Sequence, residues 1–255
     1  MYDYHVHSNY SDGDFMGRMV RAAADAGLAG VGFADHCNVS EREHPRRYKR
    51  RFGFNLDVTY ERRREAIREY AAEHDLRVFD AVEMDYHPAD EAEIRAFLAE
   101  ADFEYAVGSV HEIRGANVHW DYFADLSESE QRGAVEEYFD RLVALVETEL
   151  FDVLAHPDIV ERNPALRGYA TEDHYRAVAE ALSDSPTVPE INAGRVDREY
   201  GKFHPNPDFL AVLAEYDVPV TLGSDAHSPE ALRERVPRLR DHLADAPVEN
   251  VELPV

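Results

Sequence analysis

Short runs of apolar, β-branched and aromatic residues recur along the chain. Between them lie longer stretches in which apolar residues return every three or four positions. The runs at Tyr2–His7, Gly30–Asp35, Arg77–Asp85, Glu104–His111, Asp152–His156, Thr187–Asn192 and Val218–Asp225 read as strands. Thr59–His74, Glu128–Glu149 and Asp208–Tyr216 are among the helical stretches that separate them. Alternation of this kind predicts α/β architecture, with helices crossing over between parallel strands of a sheet or barrel. Nothing in the pattern marks a linker, repeat or low-complexity tract, so residues 1–255 are expected to form a single domain. Arg42–Arg51 and Gly194–Pro207 read as the longest irregular insertions, and loops of such length in a compact domain usually serve function. The last residues, Pro247–Val255, read as a short tail.

The strand candidates end in the residue types that bind metals. The first closes on His5-Val6-His7, where the two-residue period of a strand sends both imidazoles to one face. The second closes on Asp35-His36, the third carries Glu83, the fourth closes on Ser109-Val110-His111 and the fifth on His156-Pro157-Asp158. Glu190-Ile191-Asn192 ends the sixth and Gly223-Ser224-Asp225-Ala226-His227 the seventh. A parallel barrel gathers all these ends at one rim, where such folds build their sites. Imidazole nitrogen mixed with carboxylate oxygen suits zinc, iron or manganese, and one ion takes about three or four protein ligands. Two or three divalent ions are therefore expected. Ions a few ångströms apart bind phosphoryl oxygens and lower the pKa of water, which makes phosphate-ester hydrolysis the natural reaction class.

Charge narrows the partners. The 52 Asp and Glu residues outnumber 27 Lys and Arg, giving a formal charge of −25. Such a field repels polyanions, so nucleic acid and anionic membranes are poor partners and a small phosphate ester is a better one. No apolar run approaches the roughly 18 residues that span a bilayer. The single cysteine, Cys37, forms no intrachain disulfide, and no basic-then-apolar N-terminal run precedes the first motif, so a reduced, cytoplasmic location is expected. Only two of the basic residues are lysines, Lys49 and Lys202. An acidic, lysine-poor surface suits a salt-loving host, because salt screens the self-repulsion. The pattern specifies no oligomeric state.

Taken in order, His5-Val6-His7, Ser11-Asp12-Gly13, Asp35-His36, Glu83, Ser109-Val110-His111, His156 and Gly223-Ser224-Asp225-Ala226-His227 resemble the polymerase-and-histidinol-phosphatase (PHP) superfamily. The resemblance implies a distorted seven-stranded (β/α)7 barrel with its metal site at the C-terminal rim of the strands. It implies one ion at His5, His7, Glu83 and Asp225, a second shared through Glu83 with His111 and His156, and a third at Asp12, His36 and His227. Loss or weak occupancy of the third ion is common in that superfamily. Glu83, Asp225 and His227 are the expected catalytic residues, with Asp225 as an acid near the leaving alcohol.

Within the superfamily, Asp35-His36-Cys37, Glu83-Met84-Asp85-Tyr86 and the run from Glu190 to Pro207 look most like histidinol-phosphate phosphatases, which implies hydrolysis of L-histidinol phosphate. Nucleotide phosphatases or exonucleases are the alternative within the superfamily, and a non-catalytic metal-binding protein is the alternative outside enzymes. The segment Ala193-Gly194-Arg195-Val196-Asp197-Arg198 departs from the phosphatases' usual Gly-Leu-Arg-Lys-like stretch, leaving Arg195 or Arg198 as the phosphate-binding arginine. His204 is a further substrate-binding candidate, and His87 and Lys202 lie near presumed rim loops. His44, His74, His119, His174 and His242 read as solvated residues without a role, and Cys37 as packed rather than nucleophilic. The basic stretch Arg42–Arg51 is expected to lie as a loop over the site and draw anions inward.

Overall fold

The computed structural model describes all residues from Met1 to Val255. Its strands are β1 (Tyr2–Val6), β2 (Gly30–Cys37), β3 (Arg77–Asp85), β4 (Tyr105–Ser109), β5 (Glu112–Ile113), β6 (Ala116–Asn117), β7 (Val153–Leu154), β8 (Val188–Asn192) and β9 (Thr221–Gly223). Its α-helices are α1 (Met16–Asp25), α2 (Glu43–Phe52), α3 (Leu56–Glu73), α4 (Glu91–Ala101), α5 (Glu128–Glu147), α6 (Glu172–Ser183), α7 (Pro207–Glu215) and α8 (Pro229–Asp245). Seven strands form one parallel sheet in the order β1-β2-β3-β4-β7-β8-β9. The ends meet where Val6 bridges Ala226, with the His7 amide donating to the Ala226 carbonyl at 3.0 Å and the Asp225 amide to the His5 carbonyl at 2.8 Å. The result is the expected distorted (β/α)7 barrel, and β5–β6 is a small antiparallel hairpin at its rim.

Two expected strands are shorter than their apolar runs. Pairing stops at Leu154 and Gly223, just before His156 and Asp225, whose φ angles of 26° and 52° lie outside the strand region. The run Arg42–Arg51 is not an irregular loop but the body of α2. Glu43 stands in its first turn and Lys49, Arg50 and Arg51 in its last, which suits the helix dipole. Pro45 falls early enough to sacrifice no internal hydrogen bond, and Gly53, at φ 74°, closes the helix by donating to Lys49. With so few apolar residues, α2 offers no hydrophobic period to read.

The largest apolar cluster, 39 buried residues, lies between the outward faces of the strands and the surrounding helices. A smaller cluster inside the barrel, including Tyr4, Phe79, Tyr105 and Leu253, makes the floor beneath the site. Register shifts between Asp3 and Val6 of β1, so Tyr4 packs into this floor while the next residue, His5, reaches the rim. The C-terminal segment is bound rather than trailing: the Val251 amide donates to the Val220 carbonyl and that of Leu253 to the Tyr4 hydroxyl, and Leu253 is buried.

Candidate metal centre and substrate cavity

Glu83, buried at the rim on β3, is the middle of a ring of imidazoles. Its Oε2 lies 2.7 Å from His36 Nδ1, 3.4 Å from His5 Nε2 and 3.7 Å from His7 Nε2. Its Oε1 lies 3.1 Å from His156 Nε2 and 3.6 Å from His111 Nε2. Asp225 Oδ1 is 3.4 Å from His7 Nε2 and 3.6 Å from His227 Nδ1. Asp12 Oδ1 is 3.3 Å from His227 Nε2 and 3.8 Å from His36 Nε2. Residues far apart in sequence thus converge, and all of the proposed ligands belong to one cluster.

The donor set fits metal ions. His5 Nε2, both ring nitrogens of His7 and Glu83 Oε2 are buried without a hydrogen-bond partner, an arrangement that is costly unless a further group occupies the space between them. Several outer ring nitrogens are meanwhile engaged. His5 Nδ1 meets Glu190 at 3.0 Å, His111 Nδ1 meets Asp85 at 2.6 Å, and His227 Nδ1 meets the Asp225 carbonyl at 2.9 Å. Partners of this kind fix ring orientation and leave the opposite nitrogen to face an ion. His7, Asp12, His36 and His227 converge closely enough to hold one ion, as do His5, His7 and Asp225, and also His36, Glu83 and His111.

Without ions the centre compensates its own charges. Burial alone would raise the Glu83 carboxyl, but His36, His5 and His111 outweigh it and hold that carboxyl well below the usual range. Burial opposes charging of His5 and His36 as well. Glu190 and Glu83 nevertheless raise His5 well above its usual value, and Glu83 with Asp12 raises His36 to about 10. At His7 and His156, burial together with neighbouring imidazoles outweighs the pull of Asp225 and Glu83 and brings each down to about 4, which favours the neutral imidazole that a metal needs.

The backbone is shaped for this convergence. The left-handed turn at Asp225 is held by Arg235, whose Nη1 donates to the Asp225 carbonyl at 2.7 Å and the Ser224 carbonyl at 3.2 Å. The turn at His156 is held by its amide, which donates to Glu190 at 3.0 Å. A Cβ at Gly194 would stand 2.1 Å from Asp225 Oδ2 and 2.7 Å from Arg162 Nη2, so any larger residue there would push these two side chains out of place.

Above the centre opens a cavity of about 460 Å³, lined by the cluster residues other than His5 and His7 together with Arg162, Arg195, Arg198, Arg235 and His119. Arg195 and Arg198, the two arginines the sequence offered, both line the wall. Arg162 was not anticipated and is held more firmly than either. Its Nε donates to His204 Nε2 at 2.8 Å, and its Nη2 to Asn192 Oδ1 at 3.0 Å and Asp225 Oδ2 at 3.4 Å. His204 Nδ1 in turn meets Asp158 at 2.5 Å. His204 is therefore fully buried behind Arg162, not on the cavity surface. The signal for Arg162 was its place just after His156-Pro157-Asp158 at the rim, one short turn beyond the strand end. His119, read as solvated and without a role, is exposed and also lines the cavity, because the β5–β6 hairpin carries the following loop over the rim. His87 serves to cap a turn through the Ala89 amide, and Lys202 is exposed and off the cavity wall. Asp35, although beside His36, is spent on hydrogen bonds to Ser8, Ser11 and Arg63.

A parallel barrel with imidazoles and carboxylates converging at its C-terminal rim defines the class: an α/β-barrel enzyme built around metal-ligating side chains. The chain belongs to the PHP family, whose domain matches residues 3–192. A probable histidinol-phosphatase of Deinococcus radiodurans is 28% identical over 219 residues, covering 82% of this chain and 78% of the relative. The crystal structure of a histidinol phosphate phosphatase from Lactococcus lactis, complexed with zinc, L-histidinol and phosphate, shares the fold. Its TM-score is 0.74 at 20% identity, over 98% of this chain and 95% of that one. No helix is long and apolar enough to cross a membrane.

Proposed function

We propose that the chain is a metal-dependent phosphomonoesterase that hydrolyses L-histidinol phosphate to L-histidinol and phosphate, a step of histidine biosynthesis. The observation that carries this reading is the junction of two features: a centre rich in unpartnered metal donors, and a cavity above it whose wall carries four arginines, Arg162, Arg195, Arg198 and Arg235. The PHP family membership and the Deinococcus relative support the same chemistry.

His5, His7, Glu83 and Asp225 would hold one ion, Glu83, His111 and His156 a second, and Asp12, His36 and His227 a third. Bound there, zinc, manganese or iron supplies Lewis acidity, which polarises phosphoryl oxygens and makes water acidic enough to attack at neutral pH. The protein's own groups then bind and orient the ester. Arg162 arrives with its guanidinium fixed by His204, Asn192 and Asp225, so little side-chain freedom is lost when it meets a phosphate oxygen. Arg195 and Arg198 offer further charge-assisted donors from the same wall. Asp225 lies between the imidazoles and Arg162, where its carboxylate can accept a hydrogen bond from the attacking water and orient it, and the proton the water loses ends on the departing alkoxide. Water thus supplies the new P–O bond, the ester P–O bond breaks, and alcohol and phosphate leave.

The test is phosphate release from L-histidinol phosphate beside nucleoside monophosphates and oligonucleotide ends, with metal content measured on the same sample. Preference for histidinol phosphate is expected. Preference for nucleotides would move the substrate elsewhere in the family, and no turnover with the metals bound would make this a binding protein.

A further inference from the structure

The pair Asp35-His36 sends its side chains to opposite faces of β2. His36 turns to the metal centre, whereas Asp35 turns away from it to Arg63 on α3. The Asp35 carboxylate is fully buried and saturated. Oδ1 accepts from the Ser8 amide at 2.6 Å and the Ser11 hydroxyl at 2.8 Å, and Oδ2 accepts from the Ser8 hydroxyl at 2.8 Å and Arg63 Nη1 at 2.9 Å. Three of those four bonds clasp one loop, Ser8 to Gly13.

That loop presents Asp12. It folds back on itself as the Ser11 and Gly13 amides donate to the Ser8 carbonyl at 3.1 and 2.9 Å. A Cβ at Gly13 would stand 2.4 Å from the His7 carbonyl oxygen, so the loop packs directly on the backbone of His7, just past the end of β1. Asp12 is the most exposed side chain of the centre at 41%, and its Oδ1 meets only imidazoles and, at 3.3 Å, the Ser11 hydroxyl. An exposed loop carboxylate is a good ligand only if the loop is already ordered, since otherwise binding must order it.

We propose that Asp35 and Ser11 are positioning residues for Asp12, and that their clasp sets the affinity of the ion held by Asp12, His36 and His227 without governing the other two. The proposal rests on the ion assignment given above. It separates two roles within one short motif: His36 as a ligand, and its neighbour as the anchor of a ligand from another loop.

Metal-stripped wild type, Ser11→Ala, Ser11→Thr and Asp35→Asn are titrated with Mn²⁺ by equilibrium dialysis, with circular dichroism as the folding check. In wild type three ions are expected. Ser11→Ala should weaken one ion by about 10-fold and Asp35→Asn by up to about 100-fold, the range seen when groups orienting a ligand are removed. The other two ions should keep their affinity, and Ser11→Thr, which retains the hydroxyl, should bind like wild type. If Asp35→Asn does not fold, Ser11→Ala decides. Unchanged binding of all three ions in Ser11→Ala, or equal weakening of every ion, overturns the clasp while leaving the ion assignment standing. A wild type that takes up only two ions overturns the assignment and the clasp together.

Discussion

Glu83 shows most directly what one residue contributes. It stands among five imidazoles, and changing it to Gln removes the negative charge at the middle of the cluster as well as the proposed shared ligand. Glu83→Gln should fold, by circular dichroism, yet release no phosphate; a folded variant with wild-type rate would remove the centre from the mechanism. Arg162 invites a graded test. A charge-assisted hydrogen bond contributes roughly 1.5 to 3 kcal/mol, so Arg162→Ala should lower kcat/KM for histidinol phosphate by about 10- to 100-fold with metal content unchanged. Arg195→Ala and Arg198→Ala should cost less, since neither guanidinium has the Asn192 and His204 partners that fix Arg162. Equal losses from all three would assign the clamp to the wall as a whole. The sequence pointed to most of the residues that converge at the rim because they lie at or near the end of an apolar run, whereas Asp12, in the loop after β1, was picked out only through the family resemblance. Arg162 and His119 escaped it because loops bring them in, and a loop's path has no period to read. Cys37 is a further case: burial pushes its thiol up, so it should resist thiol reagents until the protein unfolds.

At the scale of elements, the crossover α3 is tied to the barrel by a charge rather than only by an apolar stripe. Arg63 is completely buried, bonding Asp35 at 2.9 Å and Asp80 at 2.8 Å, and Arg64 reaches the other oxygen of Asp80 at 2.5 Å. Taking one partner from a buried ion pair leaves an uncompensated charge and commonly costs about 3–5 kcal/mol. Arg63→Met should therefore lower the urea midpoint markedly, whereas Arg95→Met, which loses only an exposed pair with Glu91, should hardly move it. If both shift the midpoint alike, the buried cluster is not what fixes α3. Elements were legible where a bounded apolar run marks a strand buried on both faces. The nine residues of β3, buried from Val78 to Met84, were read to both boundaries for that reason. The short strands β7 and β9 were read too long, because Ala155 continues the apolar run beyond Leu154 and Val218 and Val220 begin one before Thr221, while the backbone turns at His156 and Asp225. The helix α2 was hidden by its charges, and its boundaries are set by Gly53 and its charge arrangement instead.

Over the whole molecule the dominant feature is charge. Buried pairs such as Arg63–Asp35 lie beyond the reach of mobile ions, while most of the carboxylates behind the net −25 act through solvent. Raising salt from about 0.1 M to about 1 M shortens the screening length from roughly 10 Å to 3 Å, so it weakens repulsion between exposed carboxylates while leaving the buried pairs largely intact. Unfolding separates those carboxylates and relieves the same repulsion, so the folded state is the one that gains from screening. The melting temperature should then rise with KCl. Each kcal/mol gained corresponds to about 2–4 °C for a chain of this size, and a rise of several degrees is expected. The comparison is made with the metal content held fixed, because bound ions stabilise the fold by mass action and would mask the effect. A rise with both KCl and NaCl, beginning well below molar concentration, identifies screening. A melting temperature that stays flat or falls would mean that the exposed cations, nearly all of them arginines, already offset the acidic surface locally, and the expectation of a salt-loving host would lose its physical basis.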